Sequence, residues 1–260
     1  SNKAHKNKLK TTKMVSFTSP KVWLLATILS SASASNLRSN SNNDRKLQGG
    51  YCDSIFALPF ICGEEASQCP AVAPLDATQF DLDAYIEKSW FVQKQQVNPY
   101  QSENQLFCIV ATYSKTDTEF LDVKNYGNND EVNGPPQNSD NNGFFSTLCA
   151  KQIEAGELAV APCFLGLAFD YLAGPYWVLA VADDYSWAIV SGGQPDQQYT
   201  AKDGSTVCTT KEGSSFFDTN GSGLWLFARE QVATAETMAA MEAELERMGV
   251  YTGLLQNVTQ

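Results

Sequence analysis

The chain has 260 residues, 43% of them hydrophobic and 18% charged, with a formal net charge of −11 at pH 7. That length suits one domain with extensions. Its acidity repels phosphate backbones and anionic lipid, which excludes nucleic acid as a partner and leaves only apolar contact open as a mode of peripheral membrane binding.

Ser1 to Lys13 carries Lys3, His5, Lys6, Lys8, Lys10 and Lys13 ahead of Met14, which reads as an initiator. After Lys21 comes VWLLATILSSASA, an apolar run ending in Ala32, Ser33 and Ala34. Basic flank, apolar core and small-residue site in that order predict a signal peptide cleaved after Ala34, too short to span a bilayer comfortably. Residues 1–34 are therefore read as an upstream segment and leader. The leader takes with it His5, the only histidine of the chain. The remainder can build no Ser/His/Asp or Cys/His nucleophile pair, no histidine general base and no His-ligated zinc. No Walker loop and no GxGxxG after a strand is present to cradle a nucleotide, so neither cofactor nor metal is expected.

Residues 35–50, SNLRSNSNNDRKLQGG, are too polar to support a core and read as a disordered linker. Residues 51–75 hold Cys52, Cys62 and Cys69 among three prolines and short apolar pieces, a stapled arm. From residue 76 the pattern is β-rich. Short segments with aromatic and β-branched residues predict strands at Trp90–Val97, Leu106–Tyr113, Glu119–Tyr126, Phe144–Ile153, Glu157–Phe164, Tyr176–Val181, Ser186–Ser191 and Leu224–Arg229. Two stretches interrupt them: a polar insertion near 126–143 and a longer one near 194–223. Eight strands in a meander must either stack as two sheets or close into a barrel, and their number alone does not choose. One helix is predicted over Ala235–Met248, with Thr234 as N-cap, Gly249 as the left-handed stop and a stripe of Met238, Met241, Leu245 and Met248 to pack on a wall.

All seven cysteines follow the leader, which in an exported chain favours disulfides with one thiol left over. Cys149 and Cys163 stand on adjacent candidate strands and can pair locally. Asn220-Gly221-Ser222 and Asn257-Val258-Thr259 are glycosylation sequons.

Three segments carry a family resemblance. AYIEKSWF at Ala84 to Phe91 places Trp90 on a first strand, with Lys88 where the related motif has glycine. Asp184, Tyr185, Ala188, Ile189 and Val190 follow as an acidic turn and strand, and Arg229 ends the strand LWLFAR. In this order the segments resemble the lipocalin family, over roughly residues 76–260. CIVATY, Val123 with Asn125, YWVLA and the GVYTGLLQNVTQ tail are similar to its apolipoprotein D-like and bacterial or plastid branch. The resemblance implies an all-β fold: an eight-stranded antiparallel up-and-down β-barrel (lipocalin/calycin) with one C-terminal α-helix packed on the wall. It implies that Arg229 packs across Trp90 to close the narrow end, and that Ala111, Tyr113, Asn125 and Trp225 face the lumen.

Residues two apart on a strand share a face, which groups Ile109, Ala111 and Tyr113, then Leu121, Val123 and Asn125, then Trp225, Phe227 and Arg229. The candidate ligand-binding set is thus Ala111, Tyr113, Val123, Asn125, Trp225 and Phe227. Related barrels staple the N-terminal arm near the seventh strand, implying a Cys69–Cys208 disulfide and leaving Cys108 to compete with Cys52 and Cys62 for one bond.

The implied function is a secreted, non-enzymatic carrier of a small hydrophobic molecule (fatty acid, lipid, sterol or carotenoid), located extracellularly or in an endomembrane lumen, with a plastid lumen as the alternative. Competing readings are a lipocalin-fold enzyme resembling xanthophyll de-epoxidases and a cell-surface or extracellular recognition protein.

Overall fold

The computed structural model describes residues 68–98, 101–137, 148–213 and 221–260. The leader, the linker, Cys52, Cys62 and Asn220 lie outside the described residues, and the readings that fall on them with them.

Asp81 starts a short helix, α1 (Leu82–Ile86), by accepting from the backbone N–H groups of Asp83 and Ala84. The strands follow as β1 (Trp90–Gln96), β2 (Phe107–Lys115), β3 (Phe120–Asn128), β4 (Leu148–Gln152) and β5 (Glu157–Pro162). A 3-10 stretch at Cys163–Ala168 and the single-turn α2 (Phe169–Leu172) lead into β6 (Gly174–Val181) and β7 (Trp187–Ser191). The insertion forms a separate hairpin, β8 (Gln197–Thr200) with β9 (Thr206–Thr209), before β10 (Leu224–Ala228), α3 (Ala235–Arg247) and β11 (Leu255–Asn257).

β1 to β7 pair antiparallel with their sequence neighbours, β10 pairs with β7, and β10 also pairs with β1. That last ladder closes eight strands into a barrel, so the ambiguity between barrel and sandwich resolves in favour of closure, which removes exposed edges. Strand alternation then separates two cores. The inner one gathers Trp90, Val92, Ala111, Tyr113, Val123, Val178, Val190 and Phe227. The outer one packs Met241 and Leu245 of α3 against Leu179, Ile189 and Leu226 on β6, β7 and β10. Thr234 caps α3 by accepting from the Thr237 N–H at 3.2 Å, and Gly249, at φ +73°, ends it as a glycine readily can. The helix ends at Arg247, one residue before the expected Met248, which serves as its C-cap.

Two features absent from the sequence reading shape the barrel. The β1–β10 ladder shifts register between Val92 and Lys94, so Lys94 faces outward to an ion pair with Glu242 of α3 at 2.7 Å while Gln95 stands opposite Trp225. The C-terminal tail completes the wall beside β1. β1 and β2 pair directly only at Trp90–Ala111 and Phe91–Val110, and β11 takes over β1 from Lys94 to Gln96. Beyond it Thr259 exchanges backbone bonds with Leu106 and Cys108, and the Gln260 side-chain amide donates to the carbonyls of both Val92 and Ile109. The tail thus fills the seam where β1 and β2 separate, with Val258 buried against the inner core.

The long insertion is also anchored. Cys208 on β9 forms a disulfide with Cys69, its carbonyl accepts from the Tyr251 N–H at 2.7 Å, and Tyr199 stacks on Tyr251 with ring centroids 5.9 Å apart. A second disulfide joins Cys149 to Cys163, and Cys108 carries a free thiol. β5 stops at Pro162 rather than Phe164 because the chain turns into the 3-10 stretch there, and β3 runs two residues further than expected, to Asn128. Among the described residues no helix is long and apolar enough to cross a membrane.

Candidate functional site

Trp90, at the start of β1, and Arg229, just past the end of β10, are held together from the backbone upward. Trp90, fully buried, donates its indole N–H to the Tyr85 carbonyl at 2.9 Å. The Arg229 guanidinium lies 3.4 Å from the Trp90 ring, a stacking geometry that suits its planar, weakly hydrated cation. Its nitrogens donate to the carbonyls of Ala84, Tyr85, Lys88, Ser89 and Tyr185. Lys88, at the position where the related motif has glycine, is used here through its carbonyl. Tyr185, at φ +56° in the acidic turn, accepts from the Asp81 N–H through its phenol oxygen at 2.6 Å, tying the β6–β7 turn to the start of α1.

Above that floor the inner face is apolar with one polar focus. Three tyrosines from separate elements converge: the Tyr176 hydroxyl lies 2.6 Å from that of Tyr85 and 2.7 Å from that of Tyr113. Burial disfavours a phenolate, so it pushes Tyr85 and Tyr176 well above the ordinary tyrosine value and Tyr113 up to about 12. All three phenols are therefore neutral near pH 7. Leu148, Val160, Tyr176 and Trp225, on β4, β5, β6 and β10, are partly buried and pack against the inner cluster. Gln95, fully buried opposite Trp225, donates to the Gln101 side chain at 2.9 Å, while its own Oε1 has no partner.

Of the residues expected to line the lumen, Ala111, Tyr113, Val123 and Phe227 are buried in the inner cluster and Trp225 is half-buried beside them. Asn125 stands opposite Ala111 in the β2–β3 ladder and is exposed. Tyr85, Tyr176 and Gln95 were not foreseen. Tyr176 alternates with Val178 and could have been read from that period. Tyr85 sits in a helix too short to show one, and the register shift hides Gln95.

An open groove of about 720 Å³ is bordered by Phe80, Asp81, Leu82, Asp83, Lys115 and Ile153, and includes none of the expected lining residues. Asp122, Cys149 and Cys163 place possible ligand atoms near one another, but both sulfurs are spent in the disulfide, so no thiolate is offered to a metal. Asn257 and Thr259 of the second sequon are both exposed.

No protein-family model matches the chain, and no curated protein matches it. Solved structures do resemble its fold. Insecticyanin from the tobacco hornworm Manduca sexta aligns at 16% identity with a TM-score of 0.45, over 74% of this chain and 86% of its own. Lobster apocrustacyanin A1 aligns at 15% identity with a TM-score of 0.42, over 69% and 79%. The cockroach allergen Per a 4 aligns at 13% identity with a TM-score of 0.46, over 75% and 96%. Likenesses of that degree say nothing about a ligand, and the assignment of a closed eight-stranded antiparallel barrel with a C-terminal helix on its wall rests on the strand pairings themselves.

Proposed function

We propose that this protein is a lipocalin-type carrier that holds a small hydrophobic molecule (a fatty acid, lipid, sterol or carotenoid) inside its barrel. The observation that carries this reading is the closed barrel with an inner face to which every barrel strand contributes apolar side chains, Leu148, Val160, Tyr176 and Trp225 among them. Ala111, Tyr113, Val123, Trp225 and Phe227 supply the lining, with Asn125 at the exposed end of its row. Covering about 200 Å² of ligand hydrocarbon contributes roughly 5 kcal/mol before ordering costs. Export is supported by the two disulfides, which persist in oxidising compartments, and glycosylation at Asn257 by the exposure of its sequon.

The test is a titration of purified protein with retinol, cholesterol and palmitate while following tryptophan emission, repeated with Trp225→Phe. Saturable quenching by one class, reduced in Trp225→Phe, supports the carrier. Absence of a saturable response to all three, in protein whose extract contains no lipid by mass spectrometry, refutes it.

A further inference from the structure

Gln95 is fully buried on β1, and its side-chain oxygen, Oε1, has no hydrogen-bond partner among the described residues. It stands directly opposite Trp225 in the β1–β10 ladder, so the two side chains share the inner face, while Lys94 beside it turns outward to Glu242. Folded proteins generally avoid leaving a buried acceptor unpaired. A chain of amides fixes which end of Gln95 is left over. Gln137 turns its Nε2 to the carbonyls of Gln105 and Asn128, both acceptors, which leaves its Oε1 to accept from Gln101 Nε2 at 3.2 Å. Gln101 Oε1 in turn accepts from Gln95 Nε2 at 2.9 Å. Turning any one of these amides over would set two oxygens or two nitrogens face to face, so the relay runs one way and what remains at its inner end is an acceptor.

Trp225 is the ring that borders this acceptor. Gly223, two residues earlier, has φ +97°, and any side chain there would collide with the six-membered ring of Trp225. The indole therefore lies back over Gly223, towards the end of the barrel away from Arg229, and it stays half-buried. An apolar ring beside one neutral acceptor suits a hydrocarbon that ends in a hydroxyl. The O–H donates to Oε1, whereas an ether, an ester or an ionised carboxylate brings acceptors only.

We propose that Gln95 Oε1 anchors the ligand by accepting a hydrogen bond from its hydroxyl, so that the barrel selects hydrocarbon alcohols over ethers, esters and fatty carboxylates of the same length. This rests on the carrier reading and narrows it. The hydroxyl end lies beside Trp225, and the hydrocarbon extends towards Phe227 and Trp90. Oε1 is closed to solvent, so the hydroxyl reaches it as the half-buried indole of Trp225 gives way.

The experiment measures displacement of bound 1-aminoanthracene from the full chain by dodecan-1-ol and by its isomer methyl undecyl ether near pH 7. It is then repeated with Gln95→Leu and Gln101→Leu, each checked for native near-ultraviolet dichroism. Leaving water costs the alcohol more than the ether, so tighter binding of the alcohol requires an acceptor inside the barrel. The wild type binds the alcohol roughly three- to tenfold more tightly, the worth of one hydrogen bond, and Gln95→Leu brings the ratio to about one or below. Gln101→Leu lowers the ratio as well, because an amide released from the relay can turn its nitrogen to the ether oxygen. Equal or tighter binding of the ether by the wild type, or an unchanged ratio in folded Gln95→Leu, overturns the anchor and leaves the carrier standing. If Gln95→Leu does not fold, an unchanged ratio in Gln101→Leu overturns it, and if neither variant folds the wild-type ranking decides alone. Failure of the dye and both probes to bind the wild type overturns the carrier reading and the anchor together.

Discussion

At Arg229 one side chain joins five main-chain carbonyls to the face of Trp90. Arg229→Ala removes the donors and leaves partly buried carbonyls without partners. We expect it to cost about 2–4 kcal/mol in urea denaturation, with Arg229→Lys recovering little because an ammonium cannot reproduce the planar fork. The floor tyrosines give a second residue-level prediction. Burial pushes the Tyr113 phenol up to about 12 in the folded protein, above the ordinary 10.0. Between those values the unfolded state has lost the proton that the folded state keeps, so the stabilisation is fully present below pH 10 and is lost as pH rises towards 12. The loss amounts to roughly 2–3 kcal/mol for Tyr113 alone. Stability measured from pH 8 to 12 should fall less steeply in Tyr113→Phe.

At the scale of elements, the tail is the piece whose role differs most from its appearance. It enters the sequence reading only as part of the family resemblance, yet β11 and the residues after it supply the ladder that β1 and β2 do not give each other. Removing residues 255–260 exposes Val258's site and frees the backbone groups of Leu106, Cys108 and Gln93. We expect at least about 2 kcal/mol of destabilisation and a selective loss of amide exchange protection over residues 92–96 and 106–109. Equal loss across all strands would show instead that the tail contributes only to global stability. The helix differs in kind: its cap, stripe and stop are local, and α3 lies within one residue of the span that its sequence predicts.

For the whole molecule, the Cys69–Cys208 bond spans 139 residues, tying the arm to the insertion hairpin, whereas Cys149–Cys163 spans only 14. The longer loop constrains the unfolded chain more. Paired Cys→Ser replacement should cost about 5 kcal/mol for the first and about 3 kcal/mol for the second by chain entropy, and thermal melts of the two double variants would order them. A reversed order would point to native contacts of β4 as the larger effect.

The eight barrel strands, their inner and outer faces and the helix were legible because each depends on a local period of 2 or 3.6 residues. Ala111, Tyr113, Val123 and Phe227 fall together on the inner face for the same reason. Closure through β10 and β1, the register shift that turns Gln95 inward, the seam filled by the tail and the meeting of Tyr85, Tyr113 and Tyr176 were decided only in the tertiary structure. Each joins residues tens to more than a hundred positions apart, and no periodicity within one segment specifies which distant strand will complete its hydrogen bonds.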